Sequence, residues 1–116
     1  MAGQSLGTFV YGDTQKGLEY EVRSRSTGSL VDLTAATNAK FYAREVGKQN
    51  LAVDGSTATT GGALGTLTVY PGALAGLSPG DRKHLRFEVW YEFDLSAKHW
   101  NVPDDGFDYI TVRDIR

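Results

Sequence analysis

The sequence predicts an all-β fold, an antiparallel β-sandwich of about seven or eight short strands. Two observations predict it: apolar and polar residues alternate with a period of two along several segments, and turn sequences separate those segments. The chain has 14 glycines but only 3 prolines, as expected for a fold with many tight turns. Its 116 residues suit one domain of ordinary size, so we expect a single domain over residues 1–116.

The N-terminal half contains four predicted strands. An opening strand runs through residues 9–11. Over residues 18–25, apolar side chains occupy alternate positions and most charged side chains lie between them, as in a half-buried strand. Residues 39–44 alternate in the same way. The segment 50–59 gives a weaker strand, interrupted by a turn at Asp54-Gly55.

Two further strands flank an interruption in the β pattern. The segment 64–70 alternates and contains β-branched residues, which suit a pleated surface. A compact loop or short helical turn over 71–79 is expected to plug one end of the sandwich. Residues 85–93 then alternate without a break, with apolar side chains at the odd positions and Trp90 among the even ones. We expect this strand to be central and its odd positions to point inward.

The chain closes with a long connection and a final strand. Residues 94–106 are rich in polar and turn-forming residues, so we expect a loop there that contains Trp100. Over residues 107–115 the alternation returns, and Ile110 and Val112 are expected to point inward.

Composition and charge argue against several functions. The 12 basic and 14 acidic residues give a formal net charge of −2, so no global basic field favours a nucleic-acid partner. The absence of cysteine removes disulfides, thiolate metal ligands and cysteine nucleophiles, and it favours folding in a reducing cytoplasm. No stretch resembles a signal peptide or a membrane span, so we expect no membrane partner.

One pair of carboxylates is a candidate for catalysis. Glu19 and Glu21 lie about 6.6 Å apart along one strand face, a separation that suits an inverting glycosidase. The alternative is a solvated face whose carboxylates pair with Arg23, Arg25 or Arg86. We favour the second interpretation, because no other feature of the sequence supports a glycosidase.

A cation site is the second candidate. Four aspartates surround the predicted loop: Asp94, Asp104, Asp105 and Asp108. Oxygen-rich loops bind calcium, but this spacing matches no calcium-loop motif. The two histidines, His84 and His99, lack a third ligand at metal-site spacing. We therefore predict no catalytic residue, no metal site and no cofactor, and we predict that the protein is not an enzyme.

Outward-facing aromatic residues are the candidate binding residues. Five are expected on the surface: Trp90, Trp100, Tyr42, Tyr70 and Tyr109. Exposed aromatic side chains mark protein interfaces or sugar-stacking platforms. The alternative is that they are covered within the domain, for instance Trp90 by the 95–105 loop.

The order of these elements resembles a known family. The pieces that carry the resemblance are the opening strand up to Gly12-Asp13-Thr14, the run 18–23, the segment 28–44, the turn 77–81, the strand 87–91 and the final strand 107–112. The most recognisable piece is Val-Asp-Leu-Thr-Ala-Ala-Thr at residues 31–37. Together they resemble the immunoglobulin-like N-terminal domain of tailed-phage baseplate upper proteins and related small virion domains. The 94–105 loop departs from that pattern.

The resemblance implies an immunoglobulin-like sandwich that assembles into a virion, made in the host cytoplasm. The expected role is structural: a baseplate or tail accessory protein or a capsid decoration protein, either stand-alone or part of a longer one. Expected partners are capsid, tail or baseplate subunits or further copies of this chain. The alternative is a carbohydrate-binding or adhesion module, in which Trp90, Trp100 and a tyrosine stack on a glycan.

Overall fold

A computed structural model of the chain describes residues 3–13, 15–24, 26–71 and 84–113. These residues form nine strands and a short 3₁₀ helix at Gly62–Leu64. The strands are β1 (Ser5–Val10), β2 (Leu18–Glu21), β3 (Thr37–Glu45), β4 (Val53–Thr57), β5 (Thr59–Thr60), β6 (Thr66–Val69), β7 (His84–Leu95), β8 (Lys98–Val102) and β9 (Asp108–Arg113). The all-β prediction is confirmed, with nine strands instead of seven or eight. Apart from Pro71, the predicted plug at 71–79 lies outside the described residues.

Two sheets pack face to face as a sandwich. The six-stranded sheet has the order β1-β9-β7-β3-β4, with β8 also paired to β7, and the three-stranded sheet has the order β2-β6-β5. β7 is central, as predicted, because β3 pairs along one of its edges while β9 and β8 share the other. Most described pairs are antiparallel, but β1 runs parallel to β9, which local alternation did not predict.

The core lies between the sheets and is built largely on β7. Five odd positions of β7 are each at most 9% exposed: Leu85, Phe87, Val89, Tyr91 and Phe93. This confirms the prediction that the odd positions of this strand point inward. Across the core, the hydroxyl of Tyr91 donates a hydrogen bond to the carbonyl oxygen of Leu18 at 3.2 Å, and this bond ties β7 to the smaller sheet. Burial raises the pKa of Tyr91.

The predicted loop over residues 94–106 is wrong. β7 continues to Leu95, and Ser96 and Ala97 turn the chain into β8 with φ values of 55° and 59°. Two left-handed residues make the tight turn that suits a hairpin, but that turn is usually signalled by Asn-Gly or Asp-Gly. β8 also shows little alternation, since most of its residues are exposed.

The predicted turn at Asp54-Gly55 is also wrong, because both residues lie inside β4. The pairing of β4 with β3 shifts register between Phe41 and Tyr42, so the strand bulges there. Gly55 has a φ of 81°, and a Cβ atom at this position would lie 3.6 Å from the hydroxyl oxygen of Tyr42. Gly55 therefore forms part of a bulge beneath the ring of Tyr42 and does not mark the end of a strand.

Candidate interaction sites

An aromatic row crosses the outer face, the side of the six-stranded sheet that points away from the core. Trp90 of β7 lies directly opposite Tyr42 of β3, and the two rings stack with centroids 5.5 Å apart and planes 7° apart. On its other side, Trp90 meets Phe107 at 5.0 Å with the planes tilted by 50°. These are favourable arrangements for aromatic pairs. The aromatic row, Tyr42, Trp90 and Phe107, thus lies at the centre of the face.

The change of partner along β7 explains why Phe107 reaches Trp90. β9 pairs with β7 up to Val89, and β8 pairs with it from Tyr91 onward. Trp90 therefore lies at the junction, next to the connection that carries Phe107 into β9. Sequence reasoning missed Phe107 as a surface residue. The alternation of this segment indicates the position of Phe107. Ile110 and Val112 are buried, so the odd positions of the segment lie on the outer face.

Arginines hold one side of the aromatic row. The guanidinium carbon of Arg44 lies 4.9 Å from the centre of the Phe107 ring and 5.7 Å from that of Trp90. Both Nε and Nη2 of Arg44 lie 2.9 Å from Oε1 of Glu88, the residue opposite it on β7. Arg86 lies 4.2 Å above the ring of Tyr109. These cation–π contacts help to hold the rings in place.

A histidine cluster borders the other side of the row. Nε1 of Trp90 donates to Oε2 of Glu92 at 3.0 Å. Nδ1 of His99 lies 2.8 Å from Oδ1 of Asp94, and its Nε2 lies 2.9 Å from Oε1 of Glu92. The side-chain amide of Asn38 donates to Asp94 at 2.9 Å. We call Asn38, Glu92, Asp94 and His99 the histidine cluster.

Both ring nitrogens of His99 face carboxylate oxygens, so both must carry a proton to donate. Hydrogen bonds to Asp94 and then to Glu92 accordingly raise the pKa of His99. In return, the bond from Asn38 and then that from His99 lower the pKa of Asp94. His99 therefore belongs to a strand-surface network whose carboxylates favour its protonated form, and it lies in β8 instead of the loop predicted over residues 94–106.

The structure separates the five predicted binding residues. Tyr42, Trp90 and Tyr109 share the outer face, where the ring of Trp90 contacts those of Tyr42 and Phe107. Tyr70 follows β6 of the smaller sheet, is 46% exposed and packs near Gly17. Trp100 lies in β8 on the opposite side of the six-stranded sheet from Trp90. The prediction that Trp100 sits in a loop is wrong.

Trp100 instead lines a cleft of about 1090 Å³ at the open edge between the two sheets, which we call the edge cleft. Its lining includes Glu19, Tyr20, Glu21, Trp100, Asn101 and Asp105. Trp100 stacks on buried Phe93 with centroids 5.5 Å apart and planes 20° apart, and its Nε1 donates to the carbonyl oxygen of Leu95 at 3.3 Å. The indole is therefore seated on the core while part of it remains open to the cleft.

Carboxylates surround the edge cleft. Glu21 forms an exposed ion pair with Arg23 at 3.0 Å, as one interpretation of the sequence expected. Arg25 lies outside the described residues, and Arg86 lies on the outer face. Burial, and then the negative charges of Asp108, Asp105 and Asp104, raise the pKa of Tyr20 to about 12.

Asp108 is fully buried next to this region. Its Oδ1 accepts a hydrogen bond from the backbone N–H of Gln4 at 3.0 Å, and burial is the main cause of its raised pKa. Within the described residues its Oδ2 has no hydrogen-bond partner. Asp94 lies on the outer face, so the four aspartates that the sequence grouped do not converge. Over residues 3–13, 15–24, 26–71 and 84–113, no group of three acidic or histidine residues is arranged to hold a metal ion.

Comparison of the sequence with profiles of known protein families and with curated proteins finds no match. Within the described part of the chain, no helix is long and apolar enough to cross a membrane.

Proposed function

We propose that this domain is a non-enzymatic structural component of a tailed-phage particle, and that it docks on other virion subunits through the outer face. The phage assignment rests on the resemblance of the sequence segments to baseplate and related virion domains. The docking assignment rests on the aromatic row. The proposed partners are capsid, tail or baseplate subunits, or neighbouring copies of this chain in the particle.

The aromatic row is the observation that carries the docking role. Trp, Tyr and Arg are the residues most enriched at the energetic centres of protein interfaces. Here Trp90 and Tyr42 are stacked, Arg44 is held against the rings by Glu88, and all three are only partly exposed. Because these side chains are ordered by the sheet before any partner arrives, little conformational freedom is lost on docking.

The carbohydrate-binding alternative required Trp90 and Trp100 to stack on the same glycan. Trp90 and Trp100 lie on opposite faces of the six-stranded sheet, so they cannot stack on the same sugar chain. One ring face of Trp90 is already covered by Tyr42. Of the two indoles, Trp100 is the one that lines the edge cleft, so a glycan bound there would contact Trp100 without Trp90.

Incorporation into particles tests the proposal. Cells that produce the particle are supplied with the gene as wild type or as Trp90→Ala, and the protein in purified particles is quantified by mass spectrometry. We expect wild-type protein in the particle and a reduction of roughly tenfold or more for Trp90→Ala, the size of a central hot-spot loss. Absence of the wild-type protein from particles would overturn the structural role.

Two further variants separate docking from folding. Arg86→Glu reverses an exposed charge above Tyr109 without opening a cavity, and we expect it to reduce incorporation as well. Leu64→Ala removes a comparable apolar side chain that is 69% exposed on the 3₁₀ helix, and it should leave incorporation unchanged. Circular dichroism checks that each variant is folded. Normal incorporation of both folded outer-face variants would exclude this face as the docking surface.

A further inference from the structure

The outer face carries a charge pattern on two neighbouring strands. Three successive outward positions of β3 lie directly opposite three outward positions of β7, and all six side chains are partly exposed. The opposed pairs are Lys40–Glu92, Tyr42–Trp90 and Arg44–Glu88. The β3 column therefore has a cation on each side of its aromatic residue, and the β7 column has a carboxylate on each side. We call these six residues the paired columns.

The paired columns are complementary to a second copy of themselves. A two-fold axis parallel to the strands, midway between β3 and β7, places β3 of each copy over β7 of the other. Such an axis keeps every residue at its own height along the strand, and opposed residues share one height. Lys40 therefore lies over Glu92 of the second copy. Arg44 lies over Glu88 of the second copy in the same way, and the aromatic pairs meet between these contacts.

The same pattern disfavours the other two-fold arrangement of the face. An axis along the aromatic row would place β3 over β3, so Lys40 would lie over Arg44 of the second copy and Glu88 over Glu92. Like charges opposed across an interface are unfavourable. Sheets packed face to face keep their strands within about 30° of each other, and each column spans only roughly 13 Å. The charges therefore select one orientation of the second copy.

Contacts within the chain hold the paired columns in place. Nε and Nη2 of Arg44 both lie 2.9 Å from Oε1 of Glu88. Glu92 accepts a hydrogen bond from the indole of Trp90 and faces His99 with its other oxygen. The proposed contacts do not need an uncompensated charge, because a second copy extends each cation–carboxylate pair into an alternating network. Side chains that are ordered beforehand lose little conformational freedom on association.

We propose that the outer face binds a second copy of this chain, related by a two-fold axis parallel to the strands, with the β3 column of each copy over the β7 column of the other. This inference rests on the proposed docking role of the outer face and names its partner. A two-fold interface closes on itself, so the product is a dimer and not a filament. The aromatic residues supply apolar contact, and the charged residues supply the orientation.

Association of the wild-type chain tests the partner. Sedimentation equilibrium over a series of concentrations should show a monomer–dimer equilibrium without larger species. In NMR spectra the indole N–H signal of Trp90 should shift as the dimer forms, and that of Trp100, on the other side of the sheet, should stay in place. A chain that remains monomeric up to about 1 mM, or a shift of the Trp100 signal alone, would contradict the proposal.

Charge reversal tests the orientation. Lys40→Glu and Glu92→Lys each oppose like charges at two places in the dimer, so each variant alone should raise the Kd of dimerisation roughly tenfold or more. In an equal mixture of the two variants, every cation again lies over a carboxylate, so a mixed dimer should form with a Kd near the wild-type value. Lys98→Glu is the matched control, since it changes the same charge on the side of β8 that carries Trp100.

The outcomes separate the orientation from other causes. Circular dichroism checks that each variant is folded, and failure of the folded mixture to recover would exclude the pairing of β3 with β7. Tighter dimerisation of Lys40→Glu alone would indicate β3 over β3, and an equal loss in Lys98→Glu would indicate a general charge effect. Either result contradicts the proposal.

The docking role fails by a different result. If Trp90→Ala reduces incorporation into particles while the wild-type chain stays monomeric, the outer face docks on another subunit and the second copy is excluded. If the wild-type chain dimerises through the paired columns but is absent from particles, the dimer stands and the structural role in the particle is wrong.

Discussion

Trp90 and Trp100 lie on the two faces of the same sheet, and different interactions hold their rings in place. The ladder between β3 and β7 puts Tyr42 opposite Trp90, and the neighbouring Arg44–Glu88 pair lies in the same ladder. Trp100 stacks on Phe93 of the core, at an edge where β8 has no second strand partner among the described residues. A ring fixed by strand register forms a preformed surface, whereas one beside an open edge leaves room for a ligand.

The largest loss of stability is expected when the side chain of Phe93, on which Trp100 stacks, is removed. Phe93 is fully buried beneath the indole, so Phe93→Ala should lower the free energy of unfolding by about 4 kcal/mol. Denaturant unfolding measures this loss. In NMR spectra the indole N–H signal of Trp100 should shift while that of Trp90 stays in place. Equal shifts of both signals would show that the two faces are not independent.

A smaller effect is expected for the bond that joins the sheets. Tyr91→Phe leaves the carbonyl oxygen of Leu18 without this donor inside the core, so the free energy of unfolding should fall by about 1 kcal/mol. Tyr20→Phe is the matched control, because its ring touches Tyr91 but no hydrogen bond of its hydroxyl is formed within the described residues. We expect it to change stability by less than about 0.5 kcal/mol. Equal losses in thermal unfolding would contradict the role of the Tyr91 hydroxyl.

The smallest effect concerns the histidine cluster beside the aromatic row. Because Asp94 and Glu92 raise the pKa of His99, Asp94→Asn should lower that pKa, as followed by NMR titration of the ring. The folded-state pKa lies above the unfolded value of about 6.5. The stabilisation is therefore complete below that value and is lost as the pH rises through the folded pKa.

Glu92→Gln gives the comparison for this prediction, since Asp94 is the larger cause of the shift and its removal should lower the pKa of His99 more. Lys40 of β3 lies opposite Glu92 and is not changed in these variants. An unaltered titration of His99 in Asp94→Asn would show that the two hydrogen bonds do not form in solution.

The sequence was sufficient for the parts of the fold in which one strand face is buried. β7 alternates over nine residues, and this period alone predicted its inward positions, its central place and the outward phase of Trp90. The same reasoning placed Tyr42 and Tyr109 on the outward side of their strands. Such signals are strong because a slip of one residue would expose every apolar side chain of the strand.

The sequence was insufficient where local patterns and long-range pairing disagree. β8 has few buried positions and a Ser96-Ala97 turn without glycine or asparagine, so its sequence predicts a loop. The sequence therefore groups Trp100 with Trp90, although the hairpin places Trp100 on the other face of the sheet. Gly55 signalled a turn where the pairing of β3 and β4 makes a bulge. The parallel alignment of β1 with β9 depends on residues about one hundred positions apart, and alternation carries no information about it.

That parallel pair has a mechanical consequence. Ser5 at the start of β1 aligns with Tyr109, and Val10 at its end aligns with Arg113. Tension applied before Ser5 and beyond Arg113 would therefore pull the two strands along their own axes in opposite directions. Under such a shearing load, the backbone bonds from Gly3 to Tyr11 stretch together and do not open one after another. A domain closed in this way resists being pulled apart from its ends far better than one whose terminal strands can peel.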